Sequence, residues 1–175
     1  MKSFPSLTTA DVEHLDGLLK DLVTRSHALS ALLVERAGYL IHSAGSEGPS
    51  DAAEFSSLSA NAFSAAQEMS KRLKEPFFTT LRVSGTRFHT SIRHVDESAL
   101  LVVVFTTTSP PEQVEAEAVA TVIGIYERLE IARHRKPEQM VDFADQNVDS
   151  ATRFFRRQAA QPPTDPPAEP PAPPA

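Results

Sequence analysis

Ala31-Leu32-Leu33-Val34-Glu35-Arg36-Ala37-Gly38-Tyr39-Leu40-Ile41-His42-Ser43-Ala44-Gly45 is the stretch that decides the fold. The apolar run from Leu29 to Val34 reads as a strand. Glu35 to Gly38 is a tight turn, with Gly38 free to take positive φ. Tyr39 to Ser43 is the return strand, so the pair is a β-hairpin, closed by Gly45, Gly48 and Pro49.

Upstream, Val12, Leu15, Leu19, Leu22 and Val23 recur at helical spacing and predict a helix over Thr9 to Arg25. Thr8 with Asp11 forms a cap pair at its start. Residues 1–7 read as a flexible N-terminus. Downstream, a second helix is predicted over Asp51 to Lys74, with Phe55, Leu58, Ala62, Ala65, Met69 and Leu73 as its core stripe. Asp51 and Glu54 suit its N-terminus, and Lys71, Arg72 and Lys74 its C-terminus. Pro76 prevents continuation.

Three strands in a meander follow. Phe77–Val83 and Thr86–Val95 flank Ser84-Gly85, read as a two-residue turn. That turn sets Leu81 opposite Phe88, Thr79 opposite Thr90 and Phe77 opposite Ile92 on an apolar face. The other face carries Arg82 beside Arg87 and Thr80 beside His89, with Arg93 further along. Ala99–Phe105 is apolar on both faces and should be a central strand with helices above and below. Ser109-Pro110-Pro111-Glu112 predicts a helix start with serine as cap. That helix runs to Arg135 on a stripe of Val114, Ala118, Val122, Ile125 and Leu129, widened by Val119, Ile123 and Tyr126.

Beyond Pro137, Val141, Ala144, Val148, Ala151 and Phe155 predict an amphipathic helix over 137–158. Residues 159–175 are proline-rich and are expected to be disordered. The folded domain is expected to span 8–136.

Composition narrows the function. The chain has 175 residues, 41% of them hydrophobic, enough for a core of this size. It has no cysteine, which excludes disulfides and thiolate metal sites and fits a reducing compartment. Asp11, Glu13 and Asp16 interrupt the first residues, so they are not a signal peptide, and no apolar run approaches a membrane span. A net charge of −6 argues against bulk nucleic-acid binding. These readings place the chain in the cytoplasm, without membrane insertion.

Catalytic chemistry finds no carrier. No glycine precedes a lysine, so there is no phosphate-binding loop. Gly45-Ser46-Glu47-Gly48 does not build a nucleophile elbow and reads as a loop. His89 and His94, five apart on one strand, face opposite sides and cannot share a metal. No catalytic, metal-binding or cofactor-binding residue is assigned, and no cofactor is expected.

The order helix, two strands, helix, three strands, helix, together with the hairpin at 31–45, Leu58-Ser59-Ala60-Asn61-Ala62 and the apolar strand 99–105, resembles the roadblock/light-chain-7 family over about residues 8–133. The resemblance implies an α/β (α+β) fold. It has a five-stranded antiparallel sheet sandwiched by helices in the order αββαβββα, roadblock/profilin-like, here with a C-terminal helix added. It implies a dimer formed by joining sheets edge to edge and pairing the second helices. It implies an adaptor or regulator of a small Ras-like GTPase. One bacterial branch, acting in gliding and cell polarity, activates GTP hydrolysis as a dimer without inserting an arginine. That branch carries a C-terminal acidic-then-aromatic helix, which Phe143-Ala144-Asp145, Asn147-Val148-Asp149 and Phe154-Phe155 resemble, whereas Arg153, Arg156 and Arg157 depart from it.

Three surfaces follow as candidates. Ser57, Ala60, Asn61, Ser64, Glu68 and Lys71, opposite the expected core stripe of the second helix, are either an ordinary exposed face or a close-packing dimer or partner interface. Arg82, Arg87, His89 and Arg93 are either a solvated sheet face or a docking surface. Like charges at Arg82 and Arg87 call for an acid, expected on a partner or dimer mate. Val148, Ala151, Phe154 and Phe155 either fold back on the domain or dock in a partner's groove. The leading functional reading is a non-enzymatic, homodimeric GTPase regulator acting on the switch regions. The alternatives are a homodimeric scaffold without effect on hydrolysis and a small-ligand sensory domain.

Overall fold

The computed structural model describes residues 3–46, 48–75 and 77–135. Thr8 and Asp11 start α1 (Thr9–Ser26) as a reciprocal capping box. The Thr8 amide donates to Asp11 Oδ2 (2.8 Å), and the Asp11 amide donates to Thr8 Oγ1 (3.3 Å). His27, left-handed at φ 53°, ends the helix. The hairpin follows as β1 (Ser30–Glu35) and β2 (Leu40–Gly45), and Gly38 takes φ 98° in its turn. Then come α2 (Ala52–Arg72), β3 (Thr80–Ser84), β4 (Phe88–His94), β5 (Ala99–Thr106) and α3 (Pro111–Arg133). The order αββαβββα is the expected one.

The strands form one antiparallel sheet in the order β2-β1-β5-β4-β3. β5 pairs on both sides and is covered on both faces, which is why its side chains are apolar throughout. Leu101, Val103 and Phe105, with Ala31 and Leu33, meet Leu15, Leu19 and Leu22 of α1 and Val114, Ala118, Ile125 and Leu129 of α3. Leu100, Val102 and Val104, with Leu32, Val34 and Ile92, meet Ala60 and Phe63 of α2.

Four local expectations are corrected. Phe4 and Leu7 pack against the α1–α3 core, so apolar burial holds residues expected to be loose. Ser109 does not cap α3. Its hydroxyl donates to the His27 carbonyl (2.8 Å), tying the start of α3 to the end of α1, and Pro110 takes the cap position without a side-chain bond. Val119, Ile123 and Tyr126 are exposed rather than widening the stripe, because α3 packs through Val114, Ala118, Ile125 and Leu129 on its other side. The β3–β4 chain reverses at Thr86-Arg87, two residues later than Ser84-Gly85. Leu81 therefore faces Ile92, and Val83 faces Thr90. Gly85 closes the turn, its amide donating to the Phe88 carbonyl (2.9 Å) where an added Cβ would lie 2.9 Å from that oxygen. The register moves by four, an even number, so the residues that remain paired keep their expected faces.

Gly45 ends β2 at φ 116°, and a Cβ there would lie 2.2 Å from the Leu29 carbonyl oxygen. Both the backbone and the space require glycine. Gly45→Ala should destabilise the fold by about 2 kcal/mol or more, read from urea unfolding. An unchanged midpoint would contradict this reading of the hairpin's end. The expected helix over 137–158, with Val148, Ala151, Phe154 and Phe155, and the tail at 159–175 lie outside the described residues.

Candidate functional site

α2 sits on the sheet by a face that lies to one side of its apolar stripe, between that stripe and the polar face expected opposite it. Ser56, Ser59, Ala60, Phe63 and Ser70 are buried, whereas Leu58, Met69 and Leu73 are 58%, 68% and 80% exposed. The expected core stripe thus points largely outward. Ala60, expected at a partner interface, is only 3% exposed and packs on the sheet. Small residues let the helix lie close to the strands. Their hydroxyls are satisfied locally: Ser56 Oγ donates to the Ala52 carbonyl (2.7 Å) and Ser70 Oγ to the Glu75 carbonyl (3.3 Å). Phe63 is the large side chain of this face, fully buried against Phe78 with ring centroids 5.0 Å apart. A polar–apolar count missed it because three serines flank it.

The other expected interface residues stay at or near the surface. Ser57 and Asn61 are exposed, Ser64 is half-buried, and exposed Glu68 and Lys71 pair with each other at 2.6 Å. Ser57 lies beside the β1–β2 turn, where a Cβ on Gly38 would come within 3.1 Å of its Cα. The apolar flank faces the other way, toward the β4–β3 half of the sheet. Phe55 on that flank lines an apolar cavity of about 360 Å³ together with Leu29, Phe88, Thr90 and Val104. Next to it, Val83 and Phe88 remain 53% and 46% exposed. Among the described residues β3 pairs with β4 alone, which leaves its outer edge with unpaired backbone groups there. Phe55 thus joins this helix flank to Phe88 and Thr90 of β4, and Val83 on the open edge strand pairs with that same Thr90.

The sheet-face arginines are organised differently from the expectation. Arg87 lies in the turn, its guanidinium 5.1 Å from the Phe88 ring centroid, and does not oppose Arg82. Arg82 meets Glu115 Oε1 at 2.5 Å, and Arg93 ion-pairs with Glu115 Oε2. The neutralising acid is therefore in the same chain, on α3, not on a partner. His89 lies against Phe105 (5.3 Å) on the α1–α3 face, while His94 lies against Phe63 (6.4 Å) on the α2 face. The two histidines do face opposite sides. Among the described residues no group of histidine and acidic side chains could hold a metal ion, and no helix is long and apolar enough to cross a membrane.

The sequence model of the Roadblock/LC7 domain matches residues 15–105. Among solved structures, the gliding protein MglB of Thermus thermophilus aligns with a TM-score of 0.70 at 24% identity, over 75% of this chain and 100% of that one. A further MglB structure, described as having a tetrameric arrangement, gives 0.70 and 24% over 75% and 99%. MglB of Myxococcus xanthus gives 0.63 and 22% over 66% and 94%. No curated protein matches the chain. With its sheet order, its helices on both faces and a family match over more than half its length, the chain belongs to the Roadblock/LC7 domain family.

Proposed function

We propose that the chain is a non-catalytic, cytoplasmic regulator of a small Ras-like GTPase, working as a homodimer. The observation that carries this is the apolar flank of α2 beside the open β3 edge. Exposed Leu58, Met69 and Leu73 so close to an unpaired strand are costly in a monomer and natural in an interface. A second copy placed edge to edge extends the sheet and pairs the two α2 helices, covering both features at once. Several solved structures of this fold belong to gliding proteins, which supports a partner in a polarity system.

The mechanism is binding, not chemistry. The dimer docks on the switch segments and favours the GTPase conformer competent for hydrolysis. Residues 137–158, with Val148, Ala151, Phe154 and Phe155, add a second contact to the GTPase. Hydrolysis by the small Ras-like GTPase encoded nearest this gene, measured with and without the full chain, tests the reading. The expected result is a rise of at least about tenfold, given how far switch ordering limits unaided hydrolysis. Binding without a change in rate would leave a scaffold, and no binding would contradict the proposal.

A further inference from the structure

Arg36 is electrostatically out of place. The other partly buried arginines meet carboxylates: Arg93 on Glu115, Arg128 and Arg135 on Asp11, Arg133 on Asp96. Among the described residues, Arg36 meets none. Its Nη2 donates to the amide oxygen of Gln67 (2.6 Å), and its guanidinium lies 5.1 Å from the Phe63 ring centroid. Nη1 is buried without a hydrogen-bond partner. His94 stacks on the same Phe63 ring, 12° from parallel, and its Nδ1 is also buried and unpartnered. Burial, then the charge of Arg36, lowers the His94 pKa, while Asp96 and Glu97 pull it up. Two polar groups thus lie around one aromatic ring with hydrogen bonds unmade, an arrangement that costs stability until something fills it.

A cavity of about 210 Å³ adjoins this corner, lined by Gln67, Ser70, Lys71, Phe78, Thr79 and His94. Glu75 also reaches its wall, but its Oε1 is occupied by the Phe77 amide (3.2 Å). Lys71 on the cavity wall pairs with Glu68 (2.6 Å), and exposed Arg72 and Lys74 follow it in the chain, a local cluster of cations on a chain of net charge −6. The space admits a side chain and is small for a nucleotide. A carboxylate has the charge Arg36 lacks opposite it and two oxygens for separate donors.

We infer that the Arg36–His94 corner receives one carboxylate, an aspartate or glutamate side chain of a partner protein. This goes beyond the GTPase reading and holds for a partner of any class, since it depends only on the corner's chemistry. Charge attraction at this cluster steers the acid in, and Arg36 with Gln67 and His94 holds it.

The test is NMR of the histidine rings in the full chain, titrated with a blocked glutamate-containing peptide, with glutarate and with inorganic phosphate. The peptide should shift the His94 signals to saturation. Arg36→Met should weaken this by at least about tenfold, as loss of a charge-assisted pair does. Arg36→Lys should keep most of it. A dispersed amide spectrum for Arg36→Met shows that the fold survives; if it does not survive, the titration of the unaltered chain together with Arg36→Lys still decides. No saturable shift, a shift indifferent to Arg36→Met, or tighter binding of glutarate or phosphate than of the peptide would each overturn the assignment.

Discussion

The chain carrying Leu58→Asp and Met69→Asp together is expected to be monomeric while remaining folded. Both side chains are more than half exposed in the single chain, so the domain itself loses little by their replacement. In a twofold dimer each substitution occurs twice, so four apolar contacts disappear and four carboxylates enter the interface. At about 1.5–3 kcal/mol for each large apolar side chain buried, dimerisation should weaken by at least about a thousandfold. Sedimentation across a concentration series reads the change, and circular dichroism confirms the fold. A dimer of unaltered affinity would remove the α2 flank from the interface.

Asp11→Asn is expected to cost about 3 kcal/mol of folding stability, the usual consequence of removing one partner of a buried ion cluster. Asp11 is fully buried. Arg135 grips it with two bonds, Nη1 to Oδ2 (2.7 Å) and Nη2 to Oδ1 (2.9 Å), and Arg128 Nε lies 2.8 Å from Oδ1. The Thr8 amide completes the set (2.8 Å). One carboxylate therefore caps α1 and clamps it to the far end of α3. The Arg135 hydrogen bonds, helped by Thr8 and opposed by burial, hold its pKa well below the usual carboxylate range. A depressed folded pKa contributes stability that is present above the unfolded value of about 4 and is lost as pH falls below it. Asp96 adds to the same window: burial raises its pKa, but Arg133 and Ser98 bring it below the ordinary value. Urea unfolding from pH 7 down to pH 3 should show stability falling on the acid side, with a shallower slope in Asp11→Asn. An equal slope in both would mean that Asp11 does not carry the linkage.

Much of the fold was legible because its signals are local. The capping box at Thr8 and Asp11 lies within four residues, Gly38 sits in a four-residue turn, and β5 announces its central place by being apolar on both faces. The site was less legible because it depends on packing across the chain. Nothing near Arg82 or Arg93 in sequence points to Glu115, which reaches them from a helix packed on the sheet. α2 misled because Ser56, Ser59 and Ser70 count as polar, yet Ser56 and Ser70 satisfy their hydroxyls on their own helix and its end and can be buried. Its apolar residues do share one stripe, but Leu58, Met69 and Leu73 on it are exposed and not part of the core. What the stripe faces outward toward is the feature on which the proposed dimer rests, and an interface of this kind is where local patterning and the single chain's own core part company.

The most direct measurement is the mass of the full chain by light scattering at micromolar concentration. The proposed dimer predicts twice 19.1 kDa. A mass of 19.1 kDa that persists as concentration rises would contradict it, leaving the apolar flank of α2 and the β3 edge without the partner assigned to them.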